Sequence, residues 1–213
     1  FIFFILSKIF LKKAIIIYHS HNIEYDIRKN KNNNIIIISL TKLFEKCLYK
    51  YCNFSTAVSL IDKIRIKKLY KINPYLFENG LDIKRLILKK PKFKLPKQYF
   101  MYVGSYWFEP NRISIDLLIE KIFPIIVKIF PKLKLIITGE GFPKHKINHS
   151  NIIYCKNLKK KYLNYLISNA NFLLFPLKKA TGTKLKIIES LILGSQIITT
   201  KYGVLGIYLR SQN

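Results

Sequence analysis

Short apolar runs alternate along the chain with segments in which apolar residues recur every three or four positions. The first clear pair is a β-branched run at residues 14–18, followed by helical spacing over 35–51 with charges at Lys42, Glu45, Lys46 and Lys50. Between them lies the polar string His19, Ser20, His21, Asn22. A strand is predicted at 55–59. A basic amphipathic helix follows at 61–72, with Ile64, Leu69 and Ile72 as its core contacts, and Asn79-Gly80 marks a turn. Residues 89–97 hold Pro91, Pro96 and five lysines with little apolar periodicity, so they read as a linker between a unit at 1–88 and a second at 98–213.

Beyond the linker the alternation is regular. Strands are predicted at 99–103, 134–138, 152–154, 172–175 and 196–200, and helices at 113–130, 159–168 and 183–193. Strands alternating with helices of these lengths indicate α/β architecture with parallel sheets covered on both faces. In such sheets ligands gather beyond the carboxyl ends of the strands. The residues leaving those ends are Gly104-Ser105, Gly139-Glu140-Gly141, the stretch from Pro176 to Gly182, and Tyr202-Gly203.

Composition narrows the classes. Half of the 213 residues are apolar, which supplies a core and excludes intrinsic disorder. The formal charge is +27, and all but five of the 38 basic residues are lysine. Recognition of bases and phosphates draws on arginine's planar fork, so the skew, together with abundant Ile, Asn, Tyr and Phe, points to codon bias. The charge predicts attraction to polyanions or an anionic membrane face without choosing between them. Cys47, Cys52 and Cys155 form no Cys-x-x-Cys pair, which argues against a disulfide framework or a structural zinc site. The apolar segment 1–11, interrupted by Lys8, is too short to span a membrane and is predicted to be a helix. With no initiator Met, and with no closing element before Asn213, the chain is expected to be part of a longer protein.

The strongest local signal is Thr181-Gly182-Thr183-Lys184-Leu185-Lys186-Ile187-Ile188-Glu189. A small-residue turn opening a helix offers free N–H groups and the positive dipole end to a phosphate, with Lys184 and Lys186 adding charge. The same residues also suit a plain helix cap at Thr181 or Thr183 with solvated lysines. Glu189 is placed to accept from sugar hydroxyls, and Glu140, between two glycines, is a further candidate ligand contact. His145 and His149 have no acidic partner and read as surface histidines. Asp62 and Asp82 read as turn and cap residues, and Trp107 as a core or rim residue.

These pieces resemble the retaining glycosyltransferases of family 4. The resemblance rests on Pro176, Gly182 to Lys186, Glu189, Gly194 and Thr199-Thr200-x-x-Gly203-x-x-Gly206-Ile207, preceded in order by Tyr102-Val103-Gly104-Ser105, Pro110-Asn111 and Ile136-Ile137-Thr138-Gly139-Glu140-Gly141. Nearer the start, His21-Asn22-x-Glu24, Ser59-x-x-Asp62 and Asn79-Gly80-x-Asp82 fit the same series.

The resemblance implies the GT-B fold, two facing Rossmann-like domains, here with an incomplete N-terminal acceptor-side domain and a truncated C-terminal end. It implies an enzyme that moves a sugar from a nucleotide-diphosphate-sugar donor to a glycan or lipid-linked acceptor, with retention, in surface polysaccharide or glycolipid synthesis. No metal or other cofactor is implied. Gly104, Gly182, Thr183, Lys184, Lys186, Glu189 and Glu140 would line the nucleotide sugar, Glu189 at the ribose. His21 would be the catalytic residue, projecting from the N-terminal domain near the transferred sugar, with His19 as the alternative. The implied setting is the cytoplasm, at the inner membrane face. In the family's paired-glutamate pattern Thr181 stands where the first glutamate belongs, and the loop after Gly104 lacks the expected Arg and Lys. A truncated inactive fragment and a basic polyanion-binding module are the alternatives.

Overall fold

The computed structural model describes residues 2–11, 13–30, 33–147, 149–178 and 184–207. The chain divides into two compact units, the first over Phe1–Asn79 and the second over Gly80–Ala180 and Lys184–Asn213.

In the first unit helix α1 (Ile2–Phe10) precedes β1 (Ile17–Ser20), α2 (Glu24–Asn30), α3 (Ile35–Tyr51), β2 (Phe54–Ala57), α4 (Leu60–Tyr70) and β3 (Tyr75–Leu76). The three strands are parallel in the order β1-β2-β3. Its core is small, built from Ile23, Tyr49, Ala57, Ile66 and Tyr70. In α4 it is Ile66 and Tyr70 that are buried, while Ile64 is 60% exposed and Leu69 and Ile72 only pack on the rim. Of the three expected contacts, Leu69 and Ile72 thus pack against the core and Ile64 does not. Ser59 and Asp62 form a reciprocal cap: the Asp62 N–H donates to Ser59 Oγ (3.1 Å) and Ser59 Oγ donates to the Asp62 carboxylate (2.6 Å).

One buried acid organises this unit. Glu45, 3% exposed on α3, accepts from the N–H groups of Glu24 (2.8 Å) and Tyr25 (3.0 Å) and from Tyr70 Oη (2.7 Å). It thus supplies the acceptors that the first turn of α2 lacks, from a residue 21 positions later in the chain. Burial and the Glu45 charge raise the Tyr18 phenol to about 12.

The second unit carries β4 (Tyr99–Val103), α5 (Glu109–Leu117), α6 (Phe123–Ile129), β5 (Lys134–Thr138), β6 (Ile152–Cys155), α7 (Lys160–Ser168), β7 (Phe172–Phe175), α8 (Leu185–Ile192) and β8 (Ile197–Thr199). All five strands are parallel, in the order β6-β5-β4-β7-β8. The central strands are continuous apolar runs because both faces are covered: Phe100, Met101, Tyr102, Leu135, Ile136, Leu173 and Phe175 are completely buried. Between α5 and α6 a π-helical turn spans Leu118–Ile122, where the Phe123 N–H reaches back to Leu118 O. Pro124 has no N–H for the regular ladder, which accounts for the shift in what the sequence presents as one helix. Residues 80–98 group with this unit, and Lys89 N donates to Lys161 O (3.0 Å) while Asn164 Nδ2 donates to Ile87 O (3.2 Å).

Candidate functional site

The chain leaves β4 toward β5 on one side and β7 toward β8 on the other, so the strand order reverses between β4 and β7. Right-handed crossovers then put α5 and α8 on opposite faces of the sheet, and a crevice opens where the two connections part. Gly104 and the first residues of α8 border that crevice.

Close packing there leaves little room beside two glycines, crowded by a side chain at Gly104 and by backbone at Gly139. A Cβ on Gly104 would lie 2.8 Å from the Asn111 side chain, and one on Gly139 would lie 2.3 Å from Gly104 O. The exits of β4 and β5 thus run against each other, joined by bonds from Gly104 N to Thr138 O (2.9 Å) and from Tyr106 N to Glu140 O (2.7 Å). Tyr106 is fixed further by its hydroxyl on Asp116 (3.0 Å), which also pairs with Lys146 (2.6 Å). Beside these loops the indole of Trp107, 75% exposed, lies on Gly141, whose φ is +77°. Together with Glu140, Phe142, Tyr154, Lys156 and Asn157 it borders a cleft of about 400 Å³. The Glu140 side chain is exposed there, while its carbonyl ties the two loops.

Lys186 lies in the first turn of α8 and turns inward. As a residue it is half-buried, yet its Nζ sits 4.8 Å from the ring centroids of both Tyr102 and Phe175, each completely buried. Nζ donates to Val103 O (3.0 Å) and Asn111 Oδ1 (2.8 Å) and lies 3.5 Å from Tyr102 Oη. Burial, and secondarily the charge of Lys184, lower its pKa to about 7. The ammonium is therefore committed to the protein rather than held out toward solvent. Lys184 occupies the N-cap position of α8, half-buried.

One turn further on, Glu189 pairs with Lys160 of α7, Nζ to Oε2 at 2.5 Å, with the Glu189 side chain 25% exposed. Nothing in the sequence pairs Glu189 with Lys160, which lies 29 residues earlier, and the pairing of Lys186 with Asn111 is equally long-range. An amide in the first turn of the helix after a glycine exit is the one signal that points to Asn111. Gly182 and Thr183 lie outside the described residues.

The structure brings Gly104, Lys184, Lys186 and Glu189 to the exits of β4 and β7, with Glu140 one loop away. His21 belongs to the first unit. It is exposed directly after β1 and meets His19 edge to face at 4.5 Å, while His19 Nδ1 contacts Thr56 Oγ1 (2.5 Å). His145 and His149 are exposed, and Asp82 caps a 3-10 turn by accepting from Lys84 N (3.1 Å). Among the described residues no group of three His, Cys, Asp or Glu side chains could hold a metal, and no helix is long and apolar enough to cross a membrane.

The profile of the family described as glycosyl transferases group 1 matches residues 97–211, more than half of the chain. No curated protein sequence matches. Among solved structures, the chain is similar to a sucrose-phosphate synthase from Thermosynechococcus elongatus at 15% identity and a TM-score of 0.68, covering 89% of this chain and 51% of that one. It is similar to the Anabaena protein HepE, solved with UDP and glucose, at 12% identity and a TM-score of 0.68, over 94% of this chain and 57% of the other. WaaG, a glycosyltransferase involved in lipopolysaccharide biosynthesis, gives 14% identity and a TM-score of 0.66 over 89% and 57%. These likenesses show the fold, a parallel-sheet α/β chain of the GT-B class. The chain spans about half the length of these solved proteins.

Proposed function

The chain belongs to the glycosyl transferases of group 1, and from that premise we propose that its second unit holds a nucleotide-diphosphate-sugar donor. The sugar passes, with retention, to a glycan or lipid-linked acceptor in surface polysaccharide or glycolipid synthesis, at the inner face of the membrane. One observation carries this reading. The crevice at the strand-order reversal is bordered by close-approach backbone at Gly104 and by the start of α8, where Lys184 and Lys186 add positive charge.

A departing diphosphate accumulates negative charge as the glycosidic bond breaks. Helix N–H groups and nearby cations stabilise that charge where it develops, and no metal is needed for this step. In this reading Gly182, Thr183 and Lys184 serve the diphosphate and sugar, Glu189 accepts from the ribose hydroxyls, and Glu140 borders the nucleotide. The Lys186 ammonium contributes its field from behind the loop. His21, exposed at the end of β1, is the first unit's candidate for contact with the transferred sugar.

The test is a panel of UDP, GDP, ADP and CMP titrated without metal while thermal unfolding is followed. A ligand that binds only the folded state raises its apparent stability. Stabilisation by one nucleoside diphosphate, lost in Glu189→Ala, is the expected result. No response to any of the four by a chain shown to be folded would overturn the donor-site reading.

A further inference from the structure

Lys186 and Asn111 start from helices on opposite faces of the sheet and meet over the carboxyl end of β4 at 2.8 Å. Asn111 in turn donates from Nδ2 to Ser105 O (2.9 Å), accepts from Tyr102 Oη (3.1 Å), and fills the space beside Gly104 that a side chain there would need. The bond to Ser105 O and the space beside Gly104 lie on the connection from β4 to α5, residues 104–108, while Tyr102 and Val103 anchor the pair to the end of β4 itself. We infer that Lys186 and Asn111 are positioning residues that hold this loop for the ligand bound beside it, and that Lys186 does so as the ammonium ion.

The count of donors argues for the charged form. An ammonium has three N–H groups, and three acceptors surround it: Val103 O, Asn111 Oδ1 and Tyr102 Oη. A neutral amine has two donors and a lone pair, and the one hydroxyl in this set, Tyr102 Oη–H, is already donated to Asn111 Oδ1 (3.1 Å). The two ring faces attract a cation and do little for an amine. Deprotonation therefore removes one bond and both ring contacts at once. The charged and titratable groups set against Lys186 are few. Tyr102 on β4 is kept neutral by burial, Asn111 on α5 and Phe175 on β7 carry no charge, Lys184 repels from the start of α8, and Glu189 is paired with Lys160. With its pKa brought to about 7, Lys186 changes charge in the neutral range, and the loop's hold changes with it.

Trp107 makes this measurable without any ligand, because it is the chain's one tryptophan and lies in the loop itself. Its emission is followed from about pH 6 to about pH 9 in the wild type, Lys186→Met and Asn111→Ala, with circular dichroism confirming that each is folded. The expected result is a wild-type transition with its midpoint near 7 that both variants lack. A flat wild-type emission, or the same transition in a folded variant, would overturn the inference. The wild-type titration and Asn111→Ala decide it even if Lys186→Met does not fold.

The consequence for binding rests on the donor-site reading. UDP affinity of Lys186→Met relative to wild type is expected to be about tenfold lower on the acid side of the transition, the size of one charge-assisted hydrogen bond, and to converge on the alkaline side. Ionisation of UDP itself cancels in that ratio. A tryptophan transition without any nucleotide binding would remove the donor reading and leave the clamp standing. UDP binding with the same ratio on both sides would remove the clamp's link to the ligand.

Discussion

Lys160 and Glu189 join α7 to α8 through an ion pair of 2.5 Å, with the carboxylate the more enclosed partner. The pair fixes where the Glu189 oxygens point, because a carboxylate one turn below the crevice would otherwise sample several rotamers. Lys160→Met is expected to weaken nucleoside diphosphate binding less than Glu189→Ala does. On the proposed role of Glu189 at the ribose, the first removes orientation and the second removes the acceptor. Titration calorimetry on both variants decides the order, and equal losses would mean that Lys160 contacts the ligand itself.

Lys186 makes stability depend on pH in a definite direction. Its pKa is lowered on folding, so between about 7 and 10.5 the unfolded chain binds the proton that the folded chain releases. Stability therefore rises with pH across that window from this residue alone, and is independent of pH below it. Lys146, whose pKa is raised by its bond to Asp116, acts in the opposite direction, so the quantity to compare is the wild type minus Lys186→Met. Denaturant unfolding at several pH values is expected to give a difference that favours the wild type increasingly toward alkaline pH. A constant difference would show that the amine is not the source.

Gly139→Ala should be among the most damaging small substitutions in the second unit. The added carbon would lie 2.3 Å from Gly104 O at a φ of +136°, and both neighbours are backbone that cannot swing away. A loss of about 2 to 4 kcal/mol is expected from the combined strain and displacement. Gly194→Ala is the control, since its φ is +79° but nothing lies within 4 Å. Chemical denaturation of the two variants should separate crowding from backbone strain, and equal costs would assign the whole effect to φ.

In the first unit Glu45→Ala is expected to cost about 2 to 4 kcal/mol, because it leaves two helix N–H groups and the Tyr70 hydroxyl without their acceptor. Tyr70→Phe removes one of those three bonds and is expected to cost about 1 kcal/mol. Hydrogen exchange at Glu24 and Tyr25 should accelerate in the alanine variant more than exchange elsewhere in the unit. Uniform acceleration would point to global destabilisation instead of a lost cap.

The sheet of the second unit was legible because its central strands are unbroken apolar runs. The bounds expected for β4, β5 and β7 coincide with those observed. What the sequence withheld was decided at long range. Helix α2, Glu24–Asn30, has no buried residue and no apolar stripe, and its first turn is capped by an acid 21 positions away. The inward turn of Lys186 was hidden because a lysine opening a helix reads as a charge offered to solvent or phosphate. Its fate was fixed by Tyr102 and Asn111, 84 and 75 residues earlier. At α4 the expected contacts left out Ile66 and Tyr70, which the core encloses, and the bidentate contact of Arg65 with Asp26 (2.9 and 2.7 Å) holds the helix through another of its side chains.

The reversal of strand order beside β4 has an implication for sequence change. Two crossovers that depart to opposite sides leave a gap between them whatever side chains they carry, so the crevice exists before any residue in it is chosen. Substitution at Lys184 would then alter what is accommodated without relocating the crevice, whereas altering Gly104 or Gly139 would disturb the packed loops beside it. On the proposed donor-site reading, location and selectivity would be set by different parts of this chain, leaving the rim free to diversify while the five parallel strands stay constant.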